Sequence, residues 1–295
     1  MSIGCVGFGF VGKALSSKFA QTHDVHVYDI SIPQTTPSNI TFHSSICEMV
    51  ATLEMSSPDR MITYFVCVPT PMDTQSGECD TTIVKKVVGQ LKQYISRESI
   101  VVIKSTLSVG TVRSLEDNNK LLTVAFNPEF LTERNASLDF ANQKRAIIGL
   151  RTNDTEVRLT LETAYKRSFG EEFEVQFVLP EEAEMTKLML NSFWAVKVAF
   201  ANEIYSVCQA SDIDYNTVLR LVLADERIGK THLYVPGLDG KRGFGGVCLP
   251  KDLCNLRYCA KKLDTETPVL DATWISNLLV RDPDWTELKG RAVSE

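Results

Sequence analysis

The chain has 295 residues, 44% hydrophobic and 23% charged, enough for one large or two modest domains with a real core. Its 31 Lys and Arg against 37 Asp and Glu give a net charge of -6, which argues against a general binder of nucleic acid or anionic membrane. The apolar runs are interrupted, as by Lys197 within residues 192–207, so nothing reads as a membrane span of roughly 20 apolar residues. Met1 leads straight into strand-like residues without a basic lead or a small-residue cleavage site, which reads as a soluble, cytoplasmic protein. Its eight cysteines lack the dense spacing of a secreted scaffold and read as reduced thiols.

Short apolar runs alternate with amphipathic ones over the first 150 residues, the pattern of strands joined by crossover helices. Residues 3–6, 25–28, 62–68, 100–103, 122–125 and 146–150 read as strands, and 12–20, 46–53, 82–94 and 109–115 as helices. The expected fold is therefore α/β, a doubly wound Rossmann-type sheet, which the β-like run 174–179 extends. After Pro180 the pattern changes. Residues 181–208 contain no Gly or Pro and open with acids, where the helix dipole favours them, so they read as one long helix. Further helices are expected near 218–224 and over 268–280, separated by the glycine-rich loop 229–246. The division expected is a sheet domain over 1–180, an all-α central domain over 181–280, and a tail over 281–295. That tail is polar apart from Trp285 and a few aliphatics, and is expected to lie against the surface or be partly disordered.

Gly7-Phe8-Gly9-Phe10-Val11-Gly12 follows a strand and opens a helix, the context a dinucleotide loop requires. Gly7 permits the turn, Gly9 lets a pyrophosphate approach, and Gly12 lets helix and strand pack closely. Asp29 ends the second strand, where a carboxylate accepts from a ribose diol and repels a 2′-phosphate. NAD is the expected cofactor. A glycine turn in some other α/β protein is the bland alternative.

The most informative stretch is Gly243-Phe244-Gly245-Gly246-Val247-Cys248-Leu249-Pro250-Lys251-Asp252. A cysteine near glycines is more often a packed small hydrophobe than a nucleophile. Here glycine-rich backbone allows close substrate approach, Lys251 would favour a thiolate if it points inward, and Asp252 adds a carboxylate. Cys248, Cys254 and Cys259 lack the C-x-x-C pair or neighbouring His of a zinc site, so no metal is expected.

At these residues the chain resembles the UDP-glucose/GDP-mannose dehydrogenase family. The likeness runs from residue 1 to about 280 and includes the glycine loop, Val68-Pro69-Thr70-Pro71, Lys104-Ser105-Thr106, Asn127-Pro128-Glu129-Phe130-Leu131 with Glu133, the stretches 184–191 and 225–229, and the cysteine loop. The resemblance implies oxidation of a sugar 6-alcohol to the acid with two NAD, UDP-glucose being the favoured substrate and a surface polysaccharide the usual destination. Cys248 would capture the aldehyde and pass through a thioester. Lys187 and Asn191, spaced i, i+4 on one helix, would stabilise the oxyanion. Asp252 would act as base through a water, and either Glu129 or Glu133 would serve the hydrolytic water. Thr106 would lie near both that water and the cofactor. Thr70 and Lys251 would also line the cofactor, while Glu133, Lys187, Asn191, Arg227 and Gly245 would meet the substrate. Arg227 would cross a subunit boundary, which implies a homodimer.

Members of the family continue into a second Rossmann-like domain that holds the nucleotide, whereas only fifteen residues follow 268–280 here. The reading therefore keeps three options: a compact enzyme holding the nucleotide sugar by other means, an enzyme for a smaller alcohol or sugar phosphate, or a chain that needs a partner. The first is favoured because the matched catalytic positions are present. The run 227–251 carries five basic residues against one acid, which would attract a phosphate or merely be a solvated loop. Within it, Asp239-Gly240-Lys241-Arg242 is a candidate for replacing lost substrate contacts. A single-step dehydrogenase and a non-catalytic NAD-binding protein are the rivals; the former leaves Cys248 unexplained.

Overall fold

Strands buried on both faces form the middle of the sheet, where β1 (Ser2–Val6) and β4 (Ile62–Val66) read SIGCV and ITYFV. The computed structural model describes residues 1–33, 35–58, 60–116, 121–281, 285, 289–290 and 292–294, with the side chain of Glu133 outside that set. Around these strands the first compact unit, Met1–Thr70 with Thr81–Lys187, assembles in the order α1 (Phe10–Phe19), β2 (Asp24–Tyr28), β3 (Ile40–His43), α2 (Ile46–Ser56) and then, after β4, α3 (Thr82–Tyr94) and β5 (Ser99–Ile103). It continues with α4 (Thr111–Leu115), β6 (Leu122–Phe126), α5 (Ala136–Ala141), β7 (Arg145–Gly149), α6 (Thr155–Phe169) and β8 (Glu174–Val178).

The eight strands form one sheet in the order β3-β2-β1-β4-β5-β6-β7-β8. β1 pairs in parallel with both β2 and β4, so the strand order reverses at β1, the switch point at which such sheets open a ligand crevice. The α/β expectation holds, with one refinement. β6 meets β7 antiparallel through Phe126 and Gly149, so β7 and β8 run against the first six strands. Alternate residues serve the two faces. Cys5, Phe65, Ile100 and Val102 enter one core cluster, while Val6, Tyr64, Val101 and Ile103 enter the other. On the first face Phe19, Phe65, Tyr165 and Phe173 make an aromatic stack.

β3, α5 and α6 had no counterpart in the sequence reading. β3 has only four residues. α6 is largely polar outside, its start fixed by Asp154, which accepts from the Glu156 and Val157 amides at 2.8 and 3.4 Å.

The second unit comprises Pro71–Asp80 and Leu188–Glu295. Its helices are α7 (Pro180–Ala210), whose first turns belong to the first unit, α8 (Tyr215–Val222), α9 (Leu249–Lys262) and α10 (Pro268–Val280). The long helix, the loop after it and α10 fall where the sequence placed them; α9 did not appear in that reading. The Glu182 side chain accepts from the Leu179 amide at 2.7 Å and fixes the start of α7. Of the tail, Ala292 and Val293 are fully buried, and Met72 pairs with them: its amide donates to Ala292 O, and Ser294 donates back to Met72 O. Among the described residues no helix is long and apolar enough to cross a membrane.

Candidate functional site

The glycine loop is built for an anion. Gly7 takes a φ of 97°, and a Cβ at Gly12 would strike the Gly7 carbonyl oxygen, so α1 can start this close to β1 only with glycine there. Gly9 is the N-cap of α1, offers no side-chain cap, and has open space where a Cβ would stand. The first amides of α1 therefore face outward to a phosphate. Phe8, Phe10 and Val11 are half-buried around this turn. Asp29 Oδ2 accepts from the Phe8 amide at 2.5 Å and Oδ1 from the Ser31 amide at 2.8 Å. A carboxylate has about four acceptor sites, so two bonds that fix its orientation still leave capacity for a ribose diol. These residues fit NAD.

At the same carboxyl edge of the sheet, beyond β6, Lys187 is 3% exposed. Its Nζ donates to the Glu129 carbonyl at 2.5 Å and lies 3.2 Å from Glu129 Oε1, over the Phe130 ring. Glu129 Oε2 accepts from the Leu131 amide at 2.8 Å. Behind this pair Asn127 is a hub: its Oδ1 accepts from Lys104 Nζ at 2.7 Å and from the Tyr165 hydroxyl, and its Nδ2 donates to Ile147 O at 2.7 Å. Burial lowers Lys104 to about 8. Glu184, one turn before Lys187, accepts from the Gly110 and Val112 amides at 2.6 and 2.9 Å, capping the start of α4. Burial lifts it to about 7 in spite of those two bonds.

In the second unit, Cys248 is half-buried and is the N-cap of α9, with Pro250 in the first turn. Behind it Asp252 is fully buried, its Oδ1 2.5 Å from Lys251 Nζ and its Oδ2 accepting from Asn191 Nδ2 at 2.5 Å. Burial alone would lower Lys251, but the Asp252 carboxylate, with the Cys79 and Cys248 thiols, raises it instead. The buried face of α9 thus contains Lys251, Asp252 and Asn255 beside Leu253. The cysteine loop is tied from two helices. Asn277 Oδ1 accepts from the Phe244 amide at 2.7 Å while its Nδ2 donates to Phe244 O at 3.0 Å, and Asn202 Oδ1 accepts from the Gly243 amide at 3.2 Å.

The structure thus pairs Lys187 with Glu129, and brings Asn191 and Lys251 to the two oxygens of Asp252. Thr70 is buried and Thr106 half-buried, both in the first unit. Glu133 sits in a short 3-10 turn (Glu133–Asn135) and its side chain lies outside the described residues. Arg227 is 88% exposed and folds back on Asp225, its Nε 2.9 Å from Oδ1. The basic run 227–251 is dispersed rather than gathered. Lys251 is buried against Asp252, and Arg242 donates to Asn202 O at 2.9 Å and Ser206 Oγ at 2.6 Å. Lys104, Asn127 and Glu184 entered the sequence reading only as members of motifs, without a role of their own, and Asn202, Asn277 and Arg281 did not enter it. Their signal is weak because each acts through a neighbour distant in sequence. A cavity of about 280 Å³ opens beside Asn127, Phe130 and Leu131. A larger one of about 640 Å³, beside Cys254, Arg257 and Trp274, touches none of the predicted site residues and holds none of the chemistry above. Among the described residues no cluster of His, Cys, Asp and Glu could hold a metal.

A sheet of this order with a glycine turn and a ribose-facing acid defines a dinucleotide-binding α/β protein. Family models then match in sequence: the NAD binding domain of the UDP-glucose/GDP-mannose dehydrogenase family over residues 1–168, and its central domain over 181–278. The chain belongs to the UDP-glucose/GDP-mannose dehydrogenase family, and NAD is its cofactor. It is 32% identical to a UDP-glucose 6-dehydrogenase of Pseudomonas aeruginosa, over 83% of this chain and 52% of that protein. With a UDP-glucose 6-dehydrogenase of Rhizobium meliloti the identity is 29%, over 92% of this chain and 66% of the relative. The chain thus spans about half to two thirds of these relatives. The solved UDP-glucose dehydrogenase of Pyrobaculum islandicum superposes with a TM-score of 0.81 at 27% identity, covering 94% of this chain and 68% of that one. A 3-hydroxyisobutyrate dehydrogenase of Mycobacterium tuberculosis, 15% identical with a TM-score of 0.71 over 93% of this chain and 91% of its own, shares the fold.

Proposed function

We propose that this chain performs the chemistry of an NAD-dependent nucleotide-sugar 6-dehydrogenase, taking a 6-alcohol, UDP-glucose foremost, to the uronic acid in two oxidations. The observation that carries this reading is the construction of α9. Cys248 stands at its N-terminus, and its first turn buries Lys251 and Asp252, which Asn191 completes. Buried charge of this kind is costly to a fold. A helix that keeps it directly behind a half-buried thiol at its positive end is suited to holding a thiolate rather than to packing alone.

NAD, when bound, supplies the hydride acceptor for both steps. Gly7, Gly9 and Gly12 let the loop meet its pyrophosphate, Asp29 its ribose, and Thr70, Thr106 and Lys251 line it further. Asp252, through a water, takes the alcohol proton. Lys187 and Asn191 donate to the oxygen on C6 as charge develops there. Cys248 Sγ adds to the aldehyde carbon to give a thiohemiacetal, whose oxidation leaves a thioester. Water then displaces the thiolate, and the acid departs. Glu129 or Glu133 orients that water. Arg227, exposed at the surface, reaches the substrate of a second copy in a homodimer.

The decisive experiment counts NADH formed per nucleotide sugar consumed. Two supports the four-electron reaction and one overturns it in favour of a single-step dehydrogenase. Cys248→Ala should abolish acid formation and leave NAD binding intact.

A further inference from the structure

Gly245 looks, in sequence, like a glycine that lets a substrate approach the cysteine loop. The space over it is already filled. A Cβ built on Gly245 would overlap the guanidinium of Arg281 and stand 2.6 Å from its Nε. A Cβ on Gly243 would stand 2.5 Å from Asn277 Oδ1 and 3.1 Å from the Arg281 Cβ. Asn277 lies in the last turn of α10 and Arg281 is the residue that caps its C-terminus, so the end of one helix supplies both contacts. Arg281 is also anchored from the loop itself: its Nη1 lies 2.7 Å from Asp239 Oδ2, while Asp239 Oδ1 accepts from the Lys241 amide at 3.1 Å. Gly246, next in line, has open space where a Cβ would stand. The close packing is therefore particular to Gly243 and Gly245 and is not a general property of the loop.

We infer that Gly245 is glycine in order to admit the Arg281 guanidinium, and that Arg281, anchored by Asp239, is the positioning residue that holds the 243–248 loop, and with it Cys248, against α10. A planar guanidinium held where the Gly245 Cβ would stand restricts the loop and leaves no room for a methyl group. Adding that methyl must displace the guanidinium from its place over the loop, so Gly245→Ala and Arg281→Ala disturb the same contact. Their effects cannot add.

The test reads Cys248 directly, so its failure is distinct from failure of the proposed reaction. The rate of alkylation of Cys248 by iodoacetamide is measured by peptide mass spectrometry in the full chain, with the thermal midpoint of each variant alongside. Loosening the loop exposes the thiol, so Gly245→Ala and Arg281→Ala should each raise the rate by about fivefold, within the range expected for contacting residues. In the Arg281→Ala background, Gly245→Ala should change it by less than about twofold. Arg281→Lys keeps a charge for Asp239 without the planar group. It serves if Arg281→Ala does not fold, and Gly245→Ala should again be silent in it. An equal change from Gly245→Ala in both backgrounds would mean that the glycine serves something other than Arg281. That result overturns the inference, as does an unchanged rate in Gly245→Ala alone.

Discussion

Replacing Asp252 by Asn keeps the shape of the side chain and cancels its charge; with the new amide oxygen on Lys251, Asn191 turns its own oxygen to the new NH2, and the loss falls on the Lys251 charge. In the parent protein its oxygens lie 2.5 Å from Lys251 Nζ and 2.5 Å from Asn191 Nδ2, with no exposure to solvent. The substitution leaves the Lys251 ammonium 4% exposed and without its anion. Removing one partner of a buried ion pair costs about 3–5 kcal/mol, and the new amide oxygen still faces Lys251, so about 3 kcal/mol is expected at pH 7. For a domain of 150–250 residues, this lowers the melting temperature by about 6–12 °C.

The pH dependence has a definite sign. In the parent, burial would lower Lys251 but Asp252 raises it above 10.5, so its stabilising contribution persists through neutral pH and is lost only as pH climbs through the folded value. In Asp252→Asn desolvation is opposed much less. The folded state then binds fewer protons than the unfolded chain as pH approaches 10.5 from below, and the stability deficit relative to the parent shrinks as pH rises. Urea denaturation of both proteins at pH 7 and pH 9.5 measures it. A deficit below about 1 kcal/mol at pH 7, or one of equal size at both values, would refute the argument, since a buried cation deprived of its anion should cost more than an ordinary surface substitution.

Three further outcomes follow from the first unit. Gly9→Ala meets no protein atom and should leave the melting temperature unchanged while weakening NADH binding more than about tenfold; Gly12→Ala strikes the Gly7 carbonyl and should lower both, as fluorescence titration and thermal melts will show. Lys104, lowered to about 8 by burial, makes stability rise with pH between about 8 and 10.5, by about 3 kcal/mol at most. Lys104→Met should abolish that rise, and a rise that survives would assign it elsewhere. Glu184 is raised to about 7, so stability falls as pH climbs from about 4.5 to 7, by about 3 kcal/mol at most. In Glu184→Gln melts at pH 5 and pH 8 should differ much less than in the parent, and an unaltered difference would show that another group is responsible.

Much of the site could be read from sequence because its information is local. The turn from Gly7 to Gly12, the acid at Asp29 and the i, i+4 pair Lys187 and Asn191 depend on neighbours along one strand or one helix. α9 escaped that reading for the opposite reason. Its buried face contains Lys251, Asp252 and Asn255, so the apolar stripe that marks a helix is interrupted by buried polar groups. The reversal at β7 was equally hidden, since a strand shows the same two-residue period in either direction.

The sequence by itself determined the alternation of strands and helices, the NAD loop and the candidate site residues, because backbone sterics and side-chain chemistry are carried by each residue and its near neighbours. Only the tertiary structure decided which charges are neutralised by which: Lys187 by Glu129, Lys251 by Asp252, Arg281 by Asp239. It also decided that Gly245 yields its space to an arginine. Those outcomes depend on distances between segments far apart in the chain. A residue's type states what it can pair with, and the fold selects the partner.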